Sequence, residues 1–276
     1  MDTIIIDGLS FALPLFIIAI GGIYSEKSGI TNLALEGFQG FGAFTGALAA
    51  VLIANALGTD IQNLFYVALL FAMLGGMAFS VIHAVLSIKF KADQVISGVV
   101  INILALALTT FLTTQINALV FGTASDKFQL GVSQRFTIEG LADIPVIGAI
   151  FTNVYPFEVI IVVIAVFAWY LLYKTRYGMR LRACGENPHS VDAAGVDVAK
   201  IRFSAVLVSG LLSGLGGMCF AYSISANFSS SIYMGYGFLA IAALIFGNWR
   251  IVPTLAACLL FGFAKSNNGS YSVPYK

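Results

Sequence analysis

Apolar runs of helix length follow one another along most of this chain, near residues 9–24, 35–56, 64–87, 94–113, 157–173, 203–223, 235–247 and 250–265. A helix needs about 20 apolar residues to cross a hydrocarbon core of about 30 Å. Lipid leaves every backbone N–H and C=O to be paired within the protein. The sequence therefore predicts an all-α, polytopic helical membrane protein with about eight transmembrane segments, forming a single transmembrane domain over residues 1–276. Charged residues make up 10% of the chain and hydrophobic residues 59%, against about 25% charged in an ordinary soluble domain. Little is left for a separate soluble domain, so any catalytic unit must be supplied by another polypeptide.

The basic residues sort by side. If the loop 174–202 is cytoplasmic, alternation places Lys27, Lys89, Lys91, Lys174, Arg176, Arg180, Arg182, Lys200, Arg202 and Arg250 inside, and Lys127, Arg135, Lys265 and Lys276 outside. The positive-inside rule selects that orientation, with the N-terminus and the long 114–156 segment outside. Asp2 and Asp7 precede the first apolar run without any Lys or Arg, the wrong sign for a secretory signal peptide, and the run reads as a retained span. The net charge of +1 gives no reason to expect nucleic acid as a partner; membrane lipid is the expected surroundings. Trp169 and Trp249 fit an interfacial belt.

Two of the runs differ from plain spans. The stretch 35–56 opens with Glu36, Gly37, Gly40 and Gly42, and 235–247 opens with Gly235 and Gly237 and is barely long enough to cross. Short or glycine-interrupted segments in the two halves of a membrane protein point to a central binding site, since unwound backbone is tolerated at depth where it lines a cavity. The alternative is that such glycines allow close helix packing, as Gly210 and Gly214 do in a small-xxx-small pair. If helical, Asn32, Glu36 and Gln39 share a face. Glu36 then either contacts a ligand or ties down unwound backbone N–H groups. Asn102 reads as an interhelical hydrogen bond, and His83, near a span end, is a poor proton relay.

Other chemistries lack their residues. Cys184, Cys219 and Cys258 are widely separated with no CxxC spacing, so neither a disulfide framework nor a metal site is expected. No GxxxxGK[ST] phosphate loop, HExxH or pair of Asp residues within spans occurs, so no catalytic residues are assigned and any ATP must be used by a partner.

The segments "EKSGITNLALEGFQGFGAF", "ADQVISGVVINILALALT", "GMRLRACGENPHSVDAAGVDVAKIR" and "GYGFLAIAALIFGNWRIVPTLAACLLFGFA" together resemble the permease subunits of bacterial ABC importers of the branched-chain amino acid and simple-sugar group. The pattern of Glu26, Gly29, Asn32, Leu33, Glu36 and Gly37 is most similar to nucleoside permeases. That resemblance implies a membrane permease importing purine nucleosides by alternating access. Its implied partners are an ATP-binding cassette ATPase, a second homologous permease and an extracytoplasmic substrate-binding protein. A permease for branched-chain amino acids or simple sugars, or a secondary transporter, is the competing expectation.

On this reading Asn32, Glu36, Phe38, Phe41, Tyr236 and Phe238 contact substrate, the polar groups by hydrogen bonds and the aromatics by stacking. The 174–202 loop is the coupling segment, with Glu186, Asn187, Pro188, Asp192, Ala194 and Gly195 at the ATPase. Asn187-Pro188 is expected to start a short helix that continues through "HSVDAAGVDVAK" with Gly195 weakening its middle. Family members continue in further spans after "LLFGFA", whereas residues 266–276 turn polar, so the resemblance implies a truncated C-terminus.

Overall fold

The computed structural model describes residues 2–131, 135–137 and 152–270. Helix α1 (Asp2–Lys27) is followed by α2 (Leu35–Leu57), a 3-10 turn (Ile61–Leu64) and α3 (Phe65–Ala84), which runs on as a π-helical turn (Val85–Lys89). Then come α4 (Gln94–Val120), the short strand β1 (Lys127–Gln129), α5 (Pro156–Lys174), α6 (Arg176–Glu186), α7 (Pro188–Ala193) and α8 (Val198–Ile224). Strand β2 (Asn227–Ser229), α9 (Tyr236–Phe246) and α10 (Ile251–Ser270) complete the described elements. Among the described residues, six helices are long and apolar enough to span a membrane, while α9 and α10 are shorter apolar helices. They match the eight runs read from the sequence. In α10 the helix continues past residue 265, where the sequence turns polar.

The helix starts follow capping chemistry. Asp93 accepts from the amides of Val95 and Ile96, both at 2.9 Å, at the head of α4. Asp197 accepts from Lys200 N at 3.0 Å ahead of α8, and Pro156 and Pro188 occupy first-turn positions where a missing N–H costs nothing. Helices α1 and α8 are central, each 72% buried over its most apolar window, whereas α4 and α5 are 28% and 33% buried. The outer pair leaves broad apolar surface for lipid or another subunit.

The glycines of α2 do not interrupt it; the helix is continuous from Leu35 to Leu57. They serve packing instead. A Cβ on Gly42 would lie 2.4 Å from Gly214 Cα, one on Gly46 2.4 Å from Ala68 O, and one on Gly210 2.5 Å from Gly76 O. Thus α2, α3 and α8 touch backbone to backbone along one seam, the close approach that small residues allow in membranes. The irregular backbone lies just ahead of α2, at residues 28–34, and ahead of α9, at residues 225–235.

Contacts sort the chain ends into two poles. At one pole, α6 packs on the end of α1, where a Cβ on Gly185 would lie 2.3 Å from Lys27 O, and the start of α4 reaches Thr31 through Gln94. At the other, β1 pairs antiparallel with β2, Phe128 opposite Phe228.

Candidate functional site

Residues 28–34 carry backbone groups that no helix satisfies, so side chains must do so. Ser25 Oγ donates to Ile30 O at 2.9 Å, and Thr31 N donates to Gln94 Oε1 at 2.7 Å. His83 Nε2 lies 3.3 Å from Thr31 O, and its Nδ1 lies 3.0 Å from Ser97 Oγ. A carbonyl accepts only, so Nε2 carries the hydrogen and Nδ1 accepts from Ser97. Asn102 bridges the start of α2, donating to Leu33 O at 2.8 Å and accepting from Gly37 N at 2.7 Å. Asn32 accepts from Ala34 N at 3.0 Å and donates to Ser209 Oγ at 2.9 Å. The segment is thereby fixed to α3, α4 and α8.

The second irregular segment, residues 225–235, is held by α2 and α4. Gln39 Nε2 donates to Tyr233 O at 3.0 Å, the Tyr233 hydroxyl lies 3.1 Å from Thr109 Oγ1, and Thr110 donates to Ser230 at 2.8 Å. Helix α9 has 11 residues, a length of about 16 Å at 1.5 Å per residue. It covers half of a hydrocarbon core, and so begins inside the bundle. At that start Gly235 N donates to Glu36 Oε2 at 2.9 Å, with the amides of Gly237 and Phe238 also directed at the carboxylate. A Cβ on Gly237 would lie 2.5 Å from Glu36 Cα, so only glycine lets α9 approach this closely. The carboxylate thus ties down unwound N–H groups, and it sits where the partial positive charge of a helix N-terminus favours an anion.

The six residues expected at the substrate do not form one cluster. Glu36 is partly open, and Phe238, 48% exposed, stands on the adjoining surface with Met234, 53% exposed. Asn32 and Phe38 are fully buried: Asn32 holds the turn, and Phe38 lies edge-on to His83 with ring centroids 6.2 Å apart. Phe41 stacks on Phe79 at 4.3 Å. Tyr236 points away from Glu36, packing between Phe11 and Phe220 with its hydroxyl against Lys265. Phe38 and Phe41, expected to stack on substrate, thus pack against α3.

The cytoplasmic-loop candidates lie on a two-helix arm. Asn187 caps α7, accepting from Ser190 N at 3.1 Å, with Pro188 in the first turn. The helix does not continue through Gly195. Gly195, at φ +77°, ends it, with Gly195 N donating to Asp192 O at 2.8 Å and Val196 N to Val191 O at 3.2 Å, the pairing of a Schellman stop. Glu186, Asp192, Ala194 and Gly195 are exposed, whereas Val191 is buried. The backbone N–H of Lys200 holds the Asp197 carboxyl below its ordinary range at the head of α8.

A contact the sequence did not single out fastens the chain just past the end of α9: Trp249 Nε1 donates to Glu26 Oε2. Glu26 lies in the glutamate-glycine-asparagine pattern, but nothing in the spacing connects it to a tryptophan so distant in sequence.

A bundle of span-length apolar helices in which a half-length helix starts against a carboxylate of α2 has the architecture of a polytopic transport protein of the membrane. The chain belongs to the family described as the permease component of branched-chain amino acid transport systems, whose model matches residues 4–275. It is 42% identical over 259 residues to the guanosine ABC transporter permease protein NupQ of Bacillus subtilis, covering 94% of this chain and 79% of the relative. To the nucleoside ABC transporter permease protein NupC of Lactococcus lactis subsp. cremoris it is 39% identical, covering 96% and 82%. The putative glucose ABC transporter permease protein TsgC13 of Haloferax volcanii is 28% identical, over 91% and 72%. No solved structure was found to match. A permease component is a transport subunit rather than an enzyme.

Proposed function

We propose that this chain is the transmembrane subunit of an ATP-driven importer of purine nucleosides. Likeness at 42% and 39% identity to relatives named for guanosine and nucleoside transport carries the substrate class. The Glu36 junction supports the location of the pathway. Glu36 is partly exposed, and Met234 and Phe238, on either side of its partner Gly235 in sequence, are exposed; a partly exposed carboxylate cannot face lipid cheaply, at about 2.5–3.5 kcal/mol. A second homologous permease covers this surface and closes the pathway between the two subunits. Glu36 and Phe238 then offer an acceptor and an aromatic surface to a nucleoside, while Asn32, Asn102 and Gln39 hold the scaffold behind them.

The α6–α7 arm receives an ATP-binding cassette ATPase, and the opposite pole receives an extracytoplasmic binding protein. This orientation keeps the basic residues of α6 and of the heads of α8 and α10 inside. ATP is used on the partner alone. Uptake of labelled guanosine by cells co-expressing these components tests the reading. Unlabelled guanosine or adenosine should displace the label, and ATP depletion, but not a protonophore, should stop uptake. Displacement by leucine, ribose or glucose instead would overturn the substrate class.

A further inference from the structure

We propose that Glu26 and Trp249 are positioning residues for transport: together with Glu36 they clamp α9 at both ends to the 26–36 segment, so that helix and segment shift as one body when the α6 arm moves. The inference rests on the permease reading and assigns the moving part within it.

Helix α9 is bounded at both ends by left-handed backbone. Gly235 precedes it at φ +87°, and Asn248 and Trp249 follow it at φ +50° and +53°. Consecutive non-glycine residues in this region persist only where their surroundings hold them. Here they are held by Trp249 N donating to Leu244 O at 3.0 Å, by Arg250 N donating to Gly247 O at 3.0 Å, and by the indole on Glu26. The turn also presses on α10, since a Cβ on Gly247 would lie 2.1 Å from Thr254 Oγ1. Two carboxylates ten positions apart therefore grip the two ends of one short helix, Glu36 at its start and Glu26 just past its end.

The gripping segment is itself fastened to the arm. Gly29 takes φ +88°, and a Cβ there would lie 2.9 Å from the Arg202 guanidinium and 3.3 Å from Gly185 Cα. Arg202 donates to Ser28 O at 3.0 Å and to Cys184 O at 3.2 Å. Glu186 and Arg182 of α6 line one polar cleft with Glu26 and Trp249. Close backbone approach thus joins α6 to residues 27–29, and the Glu26 and Glu36 carboxylates carry the connection on to the two ends of α9. Packed backbones are displaced together rather than deformed one past the other.

Labelling tests the clamp without requiring any substrate. In membranes holding the full chain with its partner subunits, Phe238→Cys reports on the start of α9, the end remote from Glu26. Maleimide labelling at position 238 should rise about fivefold or more in Glu26→Ala and in Trp249→Phe. It should stay near the parental rate in Glu26→Gln, whose amide oxygen still accepts the indole N–H. The double variant Glu26→Ala/Trp249→Phe should match either single one, and the ratio of uptake to ATP hydrolysis, measured in chains that keep Phe238, should fall in the variants that loosen the clamp. Parental labelling in Glu26→Ala, or additive effects in the double variant, would overturn the proposal. Loss of the chain from the membrane even in Trp249→Phe would also overturn it, by making the contact one that holds the fold. Labelling as expected, together with no nucleoside uptake by the parental chain that keeps Phe238, would leave the clamp standing and refute the substrate.

Discussion

Glu36 and Gly235, 199 positions apart in sequence, are joined at 2.9 Å, carboxylate oxygen to backbone N–H, where the short helix α9 begins. Each solves the other's difficulty. An amide at a helix start has no intrahelical acceptor, and a carboxylate at depth has no water. The macrodipole supplies about half a positive charge at the place where the anion sits. The same pairing holds the first turn of α2 against the start of α9.

Glu36 is accordingly expected to be more sensitive to loss of its acceptor than to loss of its charge. Glu36→Ala removes the cap, which costs about 0.5–2 kcal/mol even where water can compensate, and should lower nucleoside uptake more than tenfold with insertion intact. Glu36→Gln keeps an acceptor for Gly235 N and should retain an intermediate rate. Initial uptake rates, normalised to the amount of membrane-inserted protein, check both. Parental uptake in Glu36→Ala would remove this junction from the pathway.

Asn32 and Asn102 are expected to act on stability rather than on substrate affinity. Each satisfies backbone groups of the turn from inside the bundle. A buried group left unpaired costs about 1–3 kcal/mol. Asn102→Leu strands two such groups, Leu33 O and Gly37 N, and Asn32→Ala strands Ala34 N and the Ser209 hydroxyl. Thermal melting of the purified complex should fall in both variants, more in Asn102→Leu, with the KM for uptake in surviving protein unchanged. A raised KM at parental melting temperature would place these side chains at the substrate.

Much of the architecture was legible because lipid imposes a length and a polarity on every span, and α2, α3, α5 and α8 follow the apolar runs closely. Asn102 also read correctly, since an amide inside a span has few uses other than bridging helices. The roles of the glycines did not follow from spacing. Gly37 and Gly40 resemble helix breakers in sequence, yet they sit in an unbroken helix because Ile101 and Tyr233 approach them closely. Such contacts depend on tertiary approach, to which a one-dimensional pattern is blind. Phe38 and Phe41 meet the same limit: the sequence shows aromatic side chains within a span, not what they pack against.

Added volume along the seam between α2, α3 and α8 should be tolerated poorly. Gly214→Val would drive a side chain into Ala72 O, only 2.2 Å from where its Cβ must lie, and backbone cannot yield as a side chain can. Overpacking costs about 1–3 kcal/mol where side chains shift, so the chain is expected to fail to accumulate in membranes. Gly58 offers the control. It is left-handed, at φ +61°, with nothing within 4 Å of a Cβ, and Gly58→Asn should accumulate normally because Asn tolerates that conformation. Equal amounts of both variants on a membrane immunoblot would contradict the seam.

The α6–α7 arm offers the most direct test of the proposed coupling to an ATPase, because α7 has distinct inner and outer faces. Val191, 8% exposed, anchors the helix to its own chain, while Asp192, Ala193 and Ala194 stand open. A cysteine at Ala193 should therefore crosslink to the ATPase subunit, and one at Val191 should not. Neither should reach the extracytoplasmic binding protein. Gly195→Trp forces a bulky side chain into a left-handed position that glycine occupies freely, which costs about 1–2 kcal/mol and also crowds the open face. The basic residues that set orientation are untouched by this change, so sidedness should be preserved while ATP-dependent uptake is lost. Crosslinking in membrane vesicles, together with uptake in whole cells, checks both expectations. Labelling of Ala193→Cys from outside intact cells would reverse the topology, and a crosslink from Val191→Cys equal to that from Ala193→Cys would show that the arm does not keep this packing in the assembled transporter.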